Sequence, residues 1–467
     1  MSKLVGFLVV VALIAGAIWY AAGRAAGPTI DIAGPQSALG QTSNLSLVID
    51  TPGGKLESLD VVLRQGATST PVFTLDRADA SRLVHDGPDR VRLTAPIGKH
   101  EFPQLAEGTA EILVTAARPV LFGLRAVRAS ASRQLQVRLN PPILAVVSTL
   151  HYINQGGSEM VIYRVTPADV ASGVRVGKYE YPGFPASGAG IAHADPGLKI
   201  AFFALLWNQD PNTPISLYAR DDVGNESTAT FDYRVFPKRF RESRINIDDR
   251  FLAKVVPPIL QNTPDFHVAD PSNLLASFVS INRDLRRADT DKLIALARET
   301  SPQILWHGPF KQLVDSAVEA GFADQRTYVY KGEVIDKEVH LGYDLASIAG
   351  APVHAANRGR VVHAGWLDIF GNCIVIDHGM GLMSLYGHLS SISVKVGDLV
   401  EEGAVIGHTG STGLAGGDHL HFTMLLGGNA VTPVDWWSAK WVADRIDRKL
   451  REAAAATDVV PASSTPH

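Results

Sequence analysis

The sequence predicts a mainly β, multidomain chain behind one N-terminal membrane-crossing helix, with a short helical stretch between its β regions. Three observations lead there. Residues 4–22 carry no charge. Residues 29–236 are short β-branched runs broken by Gly, Pro, Asn and Asp, the pattern of antiparallel strands. Leu274, Leu275, Phe278, Ile281 and Leu285 then recur at helical spacing, and glycine-rich strands resume near Tyr328. At 467 residues the chain exceeds what one hydrophobic core usually serves, so several domains are expected.

Leu4 to Ala22 is rich in Val, Ala, Leu and Ile. At 1.5 Å per residue it spans ~28 Å, close to the hydrocarbon thickness of a bilayer. Trp19 and Tyr20 sit near its far end, where amphipathic rings favour the interface. Residues 1–27 are therefore expected to be a transmembrane anchor. The small residues Ala21, Ala22, Ala25 and Ala26 leave a cleaved signal segment as the competing reading. Either way the rest of the chain lies on one side of the membrane.

Two β-sandwich modules are expected next, over 28–140 and 141–240, with a seam at Asn140-Pro-Pro142. Leu45 to Ile49, Val91 to Leu93 and Leu135 to Leu139 alternate apolar with polar residues. Ile215 to Asn225 resembles the strand and D-x-x-G-N hairpin of bacterial immunoglobulin-like domains. A helical linker is expected over 241–324: the basic run Pro237 to Arg241 reads as solvated, and a second helix should start at Asp289. A β domain over 325–436 follows. Residues 437–467 should hold an amphipathic helix carrying Trp441, Val442, Ile446 and Leu450, with a disordered tail after Ala453.

Composition removes some functions. Net charge is −4, with 19% charged and 46% apolar residues, so no basic surplus points to nucleic acid. The lone cysteine, Cys373, lies in an apolar run, excludes an intrachain disulfide and cannot supply a cysteine-rich zinc site. Any metal must be held by His and carboxylate.

Those residue types cluster. Eight of the fifteen histidines fall between His340 and His421. His419-Leu-His421 places two imidazoles on one face of a strand, with Cα atoms ~6.6 Å apart. One can bind a metal while the other faces its water. In His340-Leu-Gly-Tyr-Asp344 a straight strand would hold the two donors ~13 Å apart, and Gly342 permits the bend that brings them together. Two His and one Asp leave a fourth tetrahedral position open, as in a catalytic zinc site.

H-x-x-x-D, then Tyr386-Gly-His388-Leu-Ser, then H-x-H, in that order, resemble the signature of lysostaphin/LytM-type zinc metallopeptidases. Ala351 to Val362, Val396 to Gly407 and Thr412-Gly413 are similar to the connecting text of that family. The likeness covers about 110 residues. It implies an antiparallel β groove with His340, Asp344 and His421 as zinc ligands. His388 and His419 would handle the water proton and the tetrahedral intermediate, with their order open. Arg326, Tyr330 and Asn429 are candidates to line the cleft, whereas His354, His363, His378 and His408 are given structural parts.

The resemblance implies an endopeptidase cutting peptide cross-links of bacterial peptidoglycan, its catalytic domain periplasmic and held by a single pass through the inner membrane. The partners implied are stem peptides and the membrane, with envelope proteins as further candidates for the sandwich modules. The alternative is a catalytically silent LytM-like activator or scaffold for other wall hydrolases, against which the full ligand set counts. The linker from about 246 to 330 is placed in sequence to block the open zinc position, with His307 or a nearby Asn as the blocking group.

Overall fold

Alternation governs the first β region of the structure, a computed structural model that describes residues 2–75 and 82–458. Helix α1 (Ser2–Ala22) comes first. Its Lys3–Ala22 stretch has a mean hydropathy of 2.5 and is long and apolar enough to cross a membrane. The chain then packs as two units. One runs to Pro142 and includes Arg220–Glu226; the other holds Ile143–Ala219 and everything from Ser227 onward.

The first unit contains two sheets. One has the strand order Thr29–Gly34, Ser43–Asp50, Arg90–Ile97, Leu83–His85. The other runs Ala38–Leu39, β2 (Arg125–Val137), β1 (Gly108–Val120), Ser58–Gln65, Thr68–Thr74. Leu45, Leu47 and Ile49 from one sheet and Ile112 and Val114 from the other are fully buried in one core. Period-two patterning turns one face of each sheet inward. Strands β1 and β2 form a long hairpin paired from Gly108–Val137 to Val120–Arg125.

The second unit opens with β strands through Phe236, including Gly157–Thr166 and Leu198–Leu205. These share a core with the strands that follow: Phe202 and Trp306 both lie against Trp436, at 5.9 and 5.5 Å between ring centroids. Glu159 on Gly157–Thr166 is fully buried and bonded to Lys449 Nζ at 2.8 Å. Lys449 lies on the C-terminal helix, here α4 (Arg448–Asp458). That helix continues past Ala453, where a disordered tail was expected, and residues 459–467 lie outside the described residues.

Between these β regions lie α2 (Asp249–Asn262), a helical turn at Leu274–Ser280 continued by a π segment at Ile281–Leu285, and α3 (Arg286–Ala297). The expected helix start at Asp289 is therefore corrected. Asp289 is buried inside a continuous helical run, where its carboxylate accepts from Ile369 N at 3.2 Å instead of capping. Helix α2 falls within the helical stretch expected over 241–324 and carries Pro257 and Pro258 inside it.

The site is built on β3 (Asp324–Tyr330), β4 (Glu333–His340), β5 (Tyr343–Ala346), β6 (Leu382–Leu389) and β7 (Leu420–Leu426). Strands β3 and β4 pair in a three-stranded sheet with Glu242–Ile247. The larger sheet has the order Ala317–Ala320, β5, β7, β6, Asn372–Gly379, Gly359–Trp366, Leu399–Val400. Every residue of β6 and of β7 is buried.

Candidate metal centre

Strand register brings the five residues together. Antiparallel pairing sets Asp344 directly opposite His421, and Gly387 opposite His421 on the other side. His388 therefore follows at the end of β6, with φ at 64°, a left-handed value uncommon for a residue with a side chain. His419 is bridged to Gly410 just before β7. His340 closes β4, and the chain crosses to the larger sheet through Leu341-Gly342. The chain bends at Gly342 as expected and brings His340 and Asp344 together, and the structure adds a second reason for glycine there. A Cβ at that position would sit 2.5 Å from the His421 ring and from Thr423 Oγ1, and glycine is needed for close approach.

His340 Nε2, Asp344 Oδ1 and His421 Nδ1 converge at 2.9, 3.0 and 3.1 Å from one another. The second nitrogen of each imidazole is tied elsewhere. His340 Nδ1 lies 3.1 Å from the carbonyl of Gly321, which can only accept, so Nδ1 carries the proton and Nε2 presents a lone pair. Thr423 Oγ1 donates to Leu341 O at 2.8 Å and so accepts from His421 Nε2 at 3.0 Å, leaving His421 Nδ1 with its lone pair inward. Arg326 Nη2 donates to Asp344 Oδ2 at 3.1 Å, which turns Oδ1 toward the two imidazoles. With the outer nitrogens holding those protons, three lone pairs can face one small space, a donor set that fits a divalent cation with nitrogen and oxygen preference.

His388 and His419 face the same cavity of about 260 Å³. Each donates Nδ1–H to a carbonyl, His388 to Thr412 at 2.8 Å and His419 to Gly417 at 3.0 Å, and each keeps Nε2 free of backbone partners. Their rings lie 4.9 Å apart. For the side chains alone, burial raises the Asp344 carboxyl, but His340 and the three histidine hydrogen bonds hold it well below the usual carboxylate range. Burial pushes His421 down to about 4. Burial, reinforced by His419 and His421, also holds His388 well below the ordinary imidazole value. Burial opposes charge on His419 too, yet the Asp344 carboxylate outweighs it and raises that ring.

The cavity walls come partly from the helical segment. Phe251 of α2 and Leu414 line it, and Lys254 Nζ donates to Gly416 O at 2.8 Å. Asp289, Lys292 and Thr263 hold the turn at Asp368–Phe370, and Phe370 packs on the His421 ring at 5.5 Å. Arg286 of α3 lines this cavity and an adjoining one that reaches Asn429.

Other expectations are placed differently. The Tyr330 hydroxyl donates to Asp249 at 2.5 Å, and Tyr328 is the tyrosine at the cavity. His307 does not line the cavity: its main chain bonds the Asn357 side chain, and Trp306 and Phe310 bury that stretch in the core. His354, His363, His378 and His408 also lie off the cavity lining. His378 is buried between Arg358 O and Ser384 Oγ. Thr423 and the carbonyls of Gly321, Thr412 and Gly417 escaped sequence reading. Thr423 sits two residues after His421, on the same strand face, which is a readable signal; the carbonyls leave none.

The model of Peptidase family M23 matches residues 338–433. A DD-carboxypeptidase/endopeptidase Mpg of Neisseria meningitidis serogroup B is 41% identical over 96 residues, 21% of this chain and 22% of that protein. The murein hydrolase activator EnvC of Escherichia coli is 39% identical over 106 residues, 22% of this chain and 25% of that protein. The solved catalytic domain of the antimicrobial peptidase lysostaphin from Staphylococcus simulans is 30% identical, covering 28% of this chain and 98% of that one, with a TM-score of 0.24. The chain spans about a quarter or less of the length of the curated relatives it matches.

Proposed function

From a chain whose residues 338–433 form a peptidase family M23 domain, we propose a zinc-dependent endopeptidase that hydrolyses peptide cross-links of bacterial peptidoglycan. The observation that carries this is the convergence of the His340 Nε2, Asp344 Oδ1 and His421 Nδ1 lone pairs. Zinc held there would supply Lewis acidity toward a carbonyl and lower the pKa of a bound water to about 7. The chain's own groups do the rest. Arg326 and Thr423 hold Asp344 and His421 in the ligating orientation. His388 and His419, fixed through Nδ1, present Nε2 over the donor triad, where a neutral ring accepts a proton and a charged ring returns one to the leaving amine. Ile369, Phe370 and Leu414 give this space an apolar wall.

The proposal extends to the surroundings. Helix α1 crosses the cytoplasmic membrane, the peptidase faces the wall, and the stretches 28–140 and 141–240 are immunoglobulin-like modules that meet envelope partners. The likeness to EnvC favours one second reading, a silent activator of other wall hydrolases. Zinc content and fragment release from cross-linked muropeptides separate the two. The whole chain should hold about one zinc and release fragments. His421→Ala should lose the metal, and His388→Ala should keep it while turnover falls about 10²-fold or more. Zinc bound without any release, by the whole chain or by a truncated peptidase region, would favour the activator reading.

A further inference from the structure

The β1–β2 hairpin ends in Leu121-Phe122-Gly123-Leu124, where a soluble protein would place polar turn residues. Leu121 and Phe122 both lie at left-handed φ, 54° and 57°, a conformation in which apolar side chains are rare. Phe122 is 104% exposed and Leu124 71%. Isolated apolar residues on a surface are ordinary. Two exposed within a three-residue span, with Leu121 and Phe122 in a left-handed backbone, are not.

The location of the tip names what covers it. Arg125, next after the tip, donates to the Trp19 carbonyl at the far end of α1, and its guanidinium lies 5.2 Å from the centre of the Trp19 ring. Arg118 Nε donates to Ala26 O at 2.6 Å. The tip therefore sits beside Trp19 and Tyr20, the rings that mark the interfacial end of α1. Its charges agree. Arg24, Arg118, Arg125 and Arg128 gather here, and no acidic residue occurs from Ile112 to Ser158. Guanidinium groups below an apolar tip suit phosphate headgroups above an acyl layer.

We propose that the Leu121–Leu124 tip inserts into the leaflet from which α1 emerges, its arginines at the lipid phosphates, as a second membrane contact for the first unit. The proposal rests on the reading that α1 crosses a membrane. Two points of contact fix the tilt of the unit above the bilayer, which one flexible tether does not.

The full chain in nanodiscs of phosphatidylethanolamine and phosphatidylglycerol with brominated acyl chains tests this. An environment-sensitive fluorophore is attached in turn at Phe122→Cys, Leu124→Cys, Ile14→Cys within α1 and Thr109→Cys at the opposite end of β1. The native thiol stays unlabelled, because Cys373 is fully buried. Labels at 122 and 124 should be blue-shifted and quenched about as strongly as the label at 14, with 109 unaffected. Quenching at 14 with 122 and 124 behaving like 109 would overturn the tip insertion while keeping the anchor. No quenching at 14 would remove the membrane reading and the insertion with it.

Discussion

The sandwich of the first unit and the large sheet of the second are both antiparallel β, yet they use their interiors differently. In the sandwich the inward positions are apolar: Leu45, Leu47 and Ile49 alternate with outward polar residues. In the peptidase sheet, β6 and β7 are buried along their whole length, so alternation disappears and polar side chains lie inside. Ser384, His388, His421 and Thr423 are there, and each has a hydrogen-bond partner. A sheet covered on both faces can hold chemistry at depth because its neighbours pair and orient these polar side chains. One interior stores stability; the other stores orientation.

The largest effect that would sharpen this contrast is in the sandwich. Leu47→Ala should destabilise its unit by about 2–5 kcal/mol through a lost side chain and a residual cavity. Denaturant unfolding measures it, and zinc content should not change. A loss of zinc would show that the two interiors are not independent.

A buried imidazole away from the site gives the next effect. His151 is 3% exposed and bonded to Asp232 O and Ser148 Oγ. Burial, aided by the Lys449 charge, lowers it from 6.5 to about 4. Above about pH 6.5 neither state is protonated. Between there and pH 4 the unfolded chain alone takes the proton, so stability falls as pH falls and levels off with about 3 kcal/mol lost. Unfolding across pH 4–8 should show this slope in the native chain and a shallower one in His151→Phe. Equal slopes would assign the acid sensitivity to other groups.

The smallest effect bears on orientation. Thr423→Val keeps the shape of the side chain and removes the acceptor of His421 Nε2. Zinc affinity should fall about 10–100-fold, with little change in the unfolding midpoint of the metal-free chain. Unchanged affinity in a competition titration would leave the hydroxyl without an orienting part.

The same contrast explains what the sequence disclosed. Sandwich strands announce themselves by period two, and the H-x-x-x-D and H-x-H spacings survive because ligands must share a face. Gly342 was marked as special, but its second reason, the His421 ring 2.5 Å away, exists only after folding. Asp289 looked like a helix start because Asp favours caps. Its buried bond to Ile369, eighty residues on, reverses that reading. Carbonyl partners such as Gly321 and Thr412 leave no trace in residue identity, since every residue carries a carbonyl.

The buried pair of Glu159 and Lys449 has a consequence for truncation. A carboxylate written about a third of the way along the chain precedes its counter-charge by 290 residues. Enclosing it without that charge is strongly unfavourable, so the strands around Glu159 depend on the last helix for part of their stability. Truncation before Lys449 would leave a buried carboxylate without its counter-charge and destabilise the strand layer around Glu159.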